Sequence, residues 1–296
     1  MLLSQLPIEK FNLNIKREVE FDSLGLLISN IDKRLLTFID NEKHLQDVLL
    51  KSNVMILTTA EISEKLPKNK GVAVCTDPRN VFFELHNLLF DNESYVRKSF
   101  KTVIGNNCEI STLAHIDSQG VIIGDNVVLE EFVSIKSGTV IGNNSIIRTG
   151  SIIGSSGFEF KRKQNTIFGV QHFGGVILGE NVEIKCNTVV DKAIYPWDNT
   201  CIGNYTKIDN LVHIGHACKI MESVMIPANS VIGGRVVIEN GVWIGIGSAI
   251  RNGIHIGKDS RVNMGAVVTK DVPDNGSVTG NFAIDHQDFI RKLKNK

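Results

Sequence analysis

The chain has 296 residues, too many for one small core, and its 32 Lys and Arg balance 32 Asp and Glu. That neutrality excludes bulk electrostatic attraction to nucleic acid or to an anionic membrane as the basis of function. Five scattered cysteines with no Cys-x-x-Cys pair point to reduced thiols and a cytoplasmic protein rather than a disulfide framework.

The start, MLLSQLPIEKFNLNIKREVEF, lacks a basic stretch followed by a long apolar one, so no signal peptide is expected there. No apolar run reaches the roughly 18 residues of a transmembrane helix, and no stable membrane insertion is expected. RLLTFID, NVMILTT and GVAVCT then read as strands. Between them NEKHLQDVLLKS reads as a helix. DPRNVFFELHNLLF reads as another, with Asp77 as its cap and Pro78 in its first turn. This alternation predicts a small α/β domain over 1–100.

The texture changes after residue 100. From Ile202 an aliphatic residue returns at every sixth position through Ile208, Ile214, Ile220 and onward to Val262 and Val268. The same register runs upstream through Leu178, Ile184 and Val190. Earlier still come Ile104, Ile110 and Ile116 and, after a one-residue slip, Ile123, Leu129, Ile135, Ile141, Ile147 and Ile153. A period of six suits neither a helix nor a plain strand. It suits a solenoid of short strands, each aliphatic residue pointing to the axis and a Gly, Asn or Asp following at the bend. Each stacked Ile or Val contributes about 1.5–3 kcal/mol of burial, and no single coil folds alone. The solenoid is expected over 101–275, with a short helical tail over 276–296. Residues 154–176, GSSGFEFKRKQNTIFGVQHFGG among them, break the period and are expected as a loop on a binding face.

The period resembles that of the hexapeptide-repeat acyltransferases. That resemblance implies a left-handed parallel β-helix with about 18 residues per triangular coil. The further combination of an α/β domain, Gly157-Phe158-Glu159-Phe160 and the segment KIDNLVHIGH over 207–216 resembles the UDP-3-O-acylglucosamine N-acyltransferases and related nucleotide-aminosugar N-acyltransferases. The resemblance makes His216 the general base, preceded by the carboxylate–amide pair Asp209 and Asn210. It makes Phe38, Asn41 and His44 the clamp on a nucleotide base. It also implies substrate contacts from Phe158 and Phe160, a homotrimer, and no tightly bound cofactor or metal. The co-substrate is an acyl thioester, on coenzyme A or on acyl carrier protein. A second family histidine falls at Gly253, with His255 two residues on. That departure favours a short-chain acyl-CoA and an aminosugar for cell-surface polysaccharide over the lipid A enzyme proper, which stands as the alternative.

The residues give their own reasons. If Ile214 points inward, Gly215 lies at the bend and His216 faces out. A histidine titrates near neutral pH and can take the proton of an attacking amine. Gly234, one coil beyond His216, can bring a bare backbone N–H to a developing oxyanion. Asp209 is near enough in sequence to orient the imidazole. His213 is either a substrate contact or simply exposed. A zinc site built on His213 and His216 lacks a third converging ligand. A zinc hydratase is therefore remote, and a non-catalytic solenoid is the remaining alternative class.

Overall fold

A computed structural model describes residues 1–29, 31–280 and 285–294. The chain forms two compact units. Residues 1–99, 156–174 and 193–198 make up the first, and residues 100–155, 175–192 and those from 199 onward make up the second.

In the first unit, strands β1 (Asn14–Arg17), β2 (Ser23–Leu24), β3 (Leu35–Ile39), β4 (Val54–Thr58) and β5 (Gly71–Val74) form one sheet in the order β1-β5-β4-β3-β2. The pairs β2–β3, β3–β4 and β4–β5 are parallel, and β1 closes the edge antiparallel to β5. All five residues of β4 are buried, as a central strand covered on both faces requires. The helix Pro78–Leu88 starts as expected: Asp77 accepts a hydrogen bond from the Asn80 amide at 3.1 Å, with Pro78 in the first turn. The helix expected over 41–52 is shorter. A 3₁₀ turn, Glu42–His44, leads into one α-helical stretch, Leu45–Leu49, and Leu49 and Leu50 are exposed. The segment 156–174 is not a bare loop. It carries an antiparallel ribbon pairing Phe160–Lys163 with Thr166–Gly169.

The second unit is the solenoid. Among the described residues its strands form three parallel sheets of nine, eight and eight strands. We name them for strands of one coil: the Lys207 sheet (Lys207–Ile208), the His213 sheet (His213–Ile214) and the Lys219 sheet (Lys219–Ile220). Every aliphatic residue of the six-period from Ile123 to Val268 is buried. A second buried series, small or branched, precedes it by two residues, as in Val212, Cys218, Val224 and Ser230. Several of its hydroxyls are satisfied at the corners: Thr188 Oγ1 donates to Asp209 O at 2.7 Å and Ser248 Oγ to Asn263 O at 3.1 Å. The first coil corrects the sequence reading. Ile104 is 47 % exposed, and Ile110 and Ile116 are only half-buried, because their strands end their sheets with no coil beyond. The last solenoid strand, Ser277–Val278, lies past residue 275, and a helix spans His286–Lys294.

The corners repeat as well. A residue with positive φ recurs every six positions, as at Tyr205, Leu211, Ala217, Ser223, Asn229 and Arg235. Each of these bends is thus a two-residue turn, and the left-handed residue stands three places after the inward aliphatic one. Between the Lys219 and Lys207 sheets the turn amides are held by side chains one coil on. Asn204 Oδ1 accepts from Glu180 N at 2.8 Å and Asn240 Oδ1 from Glu222 N at 2.9 Å.

Candidate functional site

His216 and Ala217 are the central residues of the turn between the His213 and Lys219 sheets, and Ala217 takes the left-handed φ of 60°. The sequence reading has His216 facing out. The structure instead buries it to 8 % exposure. One coil on, position 234 carries no side chain, and the imidazole occupies that space: a Cβ on Gly234 would lie 2.6 Å from His216 Nε2. Gly215 is equally constrained, since its Cβ would lie 2.6 Å from Gly234 N. Two glycines thus bring two coils close together around one imidazole. Gly234 is half-buried, and its amide donates to no other group among the described residues. It is a hydrogen-bond donor open to a ligand.

Asp209 and Asn210 are at a different corner, between the Lys207 and His213 sheets. The strand His213–Ile214 separates them from His216, so within one subunit Asp209 does not orient that ring. Asp209 Oδ1 accepts from Asn210 N at 2.8 Å, and Asn210 Oδ1 accepts from Cys186 N at 2.9 Å. Asp209 thus braces its own turn, and Asn210 braces the turn one coil before. His213 is half-exposed, and its Nε2 lies 3.6 Å from Asp191 Oδ2. Asp191 is a residue the sequence reading missed. It ends the strand Val189–Asp191, beside His213–Ile214, and is 4 % exposed. The only signal in the sequence was a carboxylate at the position where neighbouring coils place Gly215 and Gly233.

Two other groups of this unit bear on the chemistry. Burial pushes the Cys218 thiol up to about 12, and its Sγ donates to Gly233 O at 3.1 Å, so it is no nucleophile. His255 pairs with Glu239 at 3.0 Å on the outer face of the Lys219 sheet, two strands from Lys219. It does not take the place of a histidine at Gly253, which has a φ of 73° that favours glycine. Among the described residues no group of three or more His, Cys, Asp or Glu could hold a metal ion.

The remaining candidates belong to the first unit. Phe38, in β3, packs on Phe82 and Phe83 with ring centroids 5.1 and 6.1 Å away. The Arg79 guanidinium lies over its ring at 5.5 Å and bonds Asp40 at 3.1 Å, a neighbour that sequence reasoning did not single out. Asn41 caps the following turn, accepting from Lys43 N at 3.0 Å, and His44 Nδ1 lies 3.2 Å from Asp47 Oδ2. Phe38 is near the carboxyl end of a parallel strand and Asn41 and His44 follow it, where open α/β sheets commonly bind ligands. At the ends of β4 and β5 a cavity of ≈ 720 Å³ is lined by Asn14, Thr59, Thr76, Asp77, Asn80 and Lys163. Phe158 is 89 % exposed and its ring lies 4.8 Å from that of Phe160.

Comparison with known proteins agrees with the repeat. Residues 120–155 match the family described as bacterial transferase hexapeptide (six repeats), and residues 235–270 match the hexapeptide repeat of succinyl-transferase. UDP-3-O-acylglucosamine N-acyltransferase 2 of Legionella pneumophila is 42 % identical over 102 residues, 34 % of this chain and 29 % of that protein. UDP-3-O-acylglucosamine N-acyltransferase of Coxiella burnetii is 28 % identical over 224 residues, 67 % of this chain and 64 % of that protein. The chain thus spans less than two thirds of the length of these relatives. A solved UDP-N-acetylglucosamine acyltransferase from Bacteroides fragilis shares the fold, with a TM-score of 0.52 at 23 % identity, covering 60 % of this chain and 67 % of that one. The chain is a hexapeptide-repeat protein with the left-handed parallel β-helix fold, and it resembles the UDP-3-O-acylglucosamine N-acyltransferases.

Proposed function

We propose that this protein is an N-acyltransferase that moves an acyl group from a thioester to the amine of a nucleotide-linked aminosugar. The observation that carries the reading is the His216 imidazole seated against Gly234, whose amide is open. As the amine nitrogen attacks the thioester carbonyl, His216 takes its proton and the Gly234 N–H stabilises the oxyanion. Collapse of the tetrahedral intermediate expels the thiolate and leaves the amide. Phe38, Asn41 and His44 are assigned to the nucleotide base, and Asn210, Phe158 and Phe160 to the acceptor.

Of the two acceptors considered, the relatives favour a UDP-3-O-acylglucosamine, since that is what their names carry. This reverses the order expected from the sequence, which put a short-chain acyl-CoA and a surface polysaccharide first. Only the left-handed glycine at 253, in place of a second histidine, still speaks for that other acceptor.

A trimer is part of the proposal. Leu113, Phe132, Leu211, Ile246 and Met264 are all exposed along the single edge between the Lys207 and His213 sheets. Phe132 and Leu211 each have a φ of 59°, a conformation unfavourable for such residues by about 1–2 kcal/mol. Large apolar side chains at left-handed positions, open to water, suit a surface that a second copy covers. The same edge carries Asp209, so a neighbouring copy gives its carboxylate a route to a partner's imidazole.

The test is a transfer assay with UDP-3-O-acylglucosamine and other nucleotide aminosugars against acyl-CoA and acyl carrier protein donors of several chain lengths. Amide formation with release of thiol is expected. Loss of thioester only to water, with every acceptor, would overturn the reading.

A further inference from the structure

Asp191 sits where three chains of contact meet. Ser155 Oγ donates to its Oδ1 at 2.6 Å, and Thr200 Oγ1 donates to its backbone carbonyl at 2.5 Å. The Thr200 oxygen in turn accepts from Ala217 N at 2.8 Å, the residue after His216. On its remaining side, Oδ2 faces His213 Nε2 at 3.6 Å. A carboxylate with 4 % exposure costs free energy to bury unless its oxygens are partnered. The serine serves one oxygen and the imidazole the other. At 3.6 Å this contact is electrostatic rather than a formed hydrogen bond, and contacts of this kind tighten when substrate is bound.

His213 itself is not structural in the way its neighbours are. On the strands to either side the matching outer positions are apolar, Val189 before and Val231 after, while Ser134 and His115 stand at the far end of the same row. An imidazole between those two valines, half-exposed and directed at a buried carboxylate, resembles the arrangement that fixes a histidine tautomer in other sites.

We infer that Asp191 is a positioning residue that holds His213 with its proton on Nε2, leaving Nδ1 to accept a hydrogen bond from a hydroxyl or ammonium group of the acceptor sugar. His213 thereby becomes a specificity-determining contact three residues before the candidate base, and Asp191 ties that contact to the turn carrying His216. No bond is made or broken in this role. The inference rests on the aminosugar-acceptor reading for its substrate, but the pair itself is tested without turnover.

Two measurements on the full-length protein decide it. In long-range ¹H–¹⁵N spectra, His213 is expected as a single Nε2–H tautomer in the wild type and as a tautomer mixture in Asp191→Asn. In the transfer assay, His213→Ala is expected to raise KM for the acceptor about tenfold, the scale of one lost hydrogen bond, with donor KM and kcat within about threefold. Asp191→Asn should reproduce that change, and the double variant should add nothing to it. The same His213 tautomer in both proteins, or an unchanged acceptor KM in His213→Ala, would overturn the inference. The exposed His213 side chain can be removed without disturbing the core, so the second result stands even where Asp191→Asn fails to fold. A wild-type protein that transfers no acyl group defeats the proposed function instead, and leaves the spectroscopic result to judge the pair.

Discussion

The His216 ring fills the place of a side chain at position 234: any Cβ there would come within 2.6 Å of Nε2. Gly234→Ala therefore strikes the candidate base directly, while the residue's own backbone is free to stay in place, since its φ is not among the positive ones. We expect kcat to fall by about 10²–10³, the reach of a displaced base or a lost oxyanion donor. Circular dichroism should be unchanged, because the inward stack of Ile214 and Ile232 is not touched. A Gly234→Ala enzyme with wild-type kcat would remove position 234 from the site.

Stability should depend on pH through His86, in the first unit. It is fully buried, with Nδ1 2.7 Å from the Tyr95 hydroxyl and Nε2 2.9 Å from Gln171 O. Burial lowers its pKa from 6.5 to about 4, opposed by the Gln171 carbonyl and aided slightly by His172. The folded value lies below the unfolded one, so the unfolded chain binds more protons between them. The stabilisation of the neutral ring is complete above about pH 6.5 and is lost as the pH falls toward 4. From pH 7 to pH 5 the loss should be about 2 kcal/mol. Urea unfolding at the two values measures it, and His86→Gln should flatten the difference. An equal slope in both proteins would assign the pH dependence elsewhere.

Much of the fold was legible because a solenoid repeats one local instruction. Ile202 to Val268 each occupy the same environment, so their spacing alone reports the architecture. Asp77 and Pro78 marked a helix start for an equally local reason. The failures were contextual. Ile104 matches the period but ends a stack, and no pattern within its hexad says so. His216 looks like any corner residue, yet it is buried because the residue one coil on is glycine, a relation across 18 positions. Asp209 was read as near the imidazole from its distance along the chain, but seven residues of a triangular coil turn a corner and cross a sheet. Asp191 was invisible because its partners, Ser155, Thr200 and His213, are scattered in sequence. Phe38 was legible as an aromatic near a strand end, while its packing on Phe82 and Phe83 was not.

The exposed edge gives a separate prediction about assembly. Leu211→Glu places a charge at a corner that already carries Asp209, among the apolar Phe132, Ile246 and Met264. Burying an unpaired carboxylate between copies costs several kcal/mol per subunit. Light scattering should move from three chains toward one, with the solenoid core intact. Because the change sits outside the stack, melting of the dissociated chain should remain cooperative. A trimer of undiminished stability would mean that this edge is not the interface.

The last prediction concerns His216 itself. His216→Ala should lower kcat by about 10²–10⁴, the usual range for losing general-base assistance. Unlike a solvated histidine, this one is 8 % exposed and packed against Gly234, so its removal leaves a small void and should cost about 1–2 kcal/mol of stability. The inward series is untouched, so the protein should still fold. Residual turnover is expected, because holding amine and thioester together retains much of the gain from proximity. Raising the pH should restore part of the rate by supplying free amine, and the rescue should be larger in the variant than in the wild type. His216→Gln separates the two losses: it refills most of the space and can hydrogen-bond, but it cannot take a proton at neutral pH. It should recover stability without recovering kcat. If His216→Gln matched the wild-type rate, the base would have to be sought on the substrate or on a partner's Asp209.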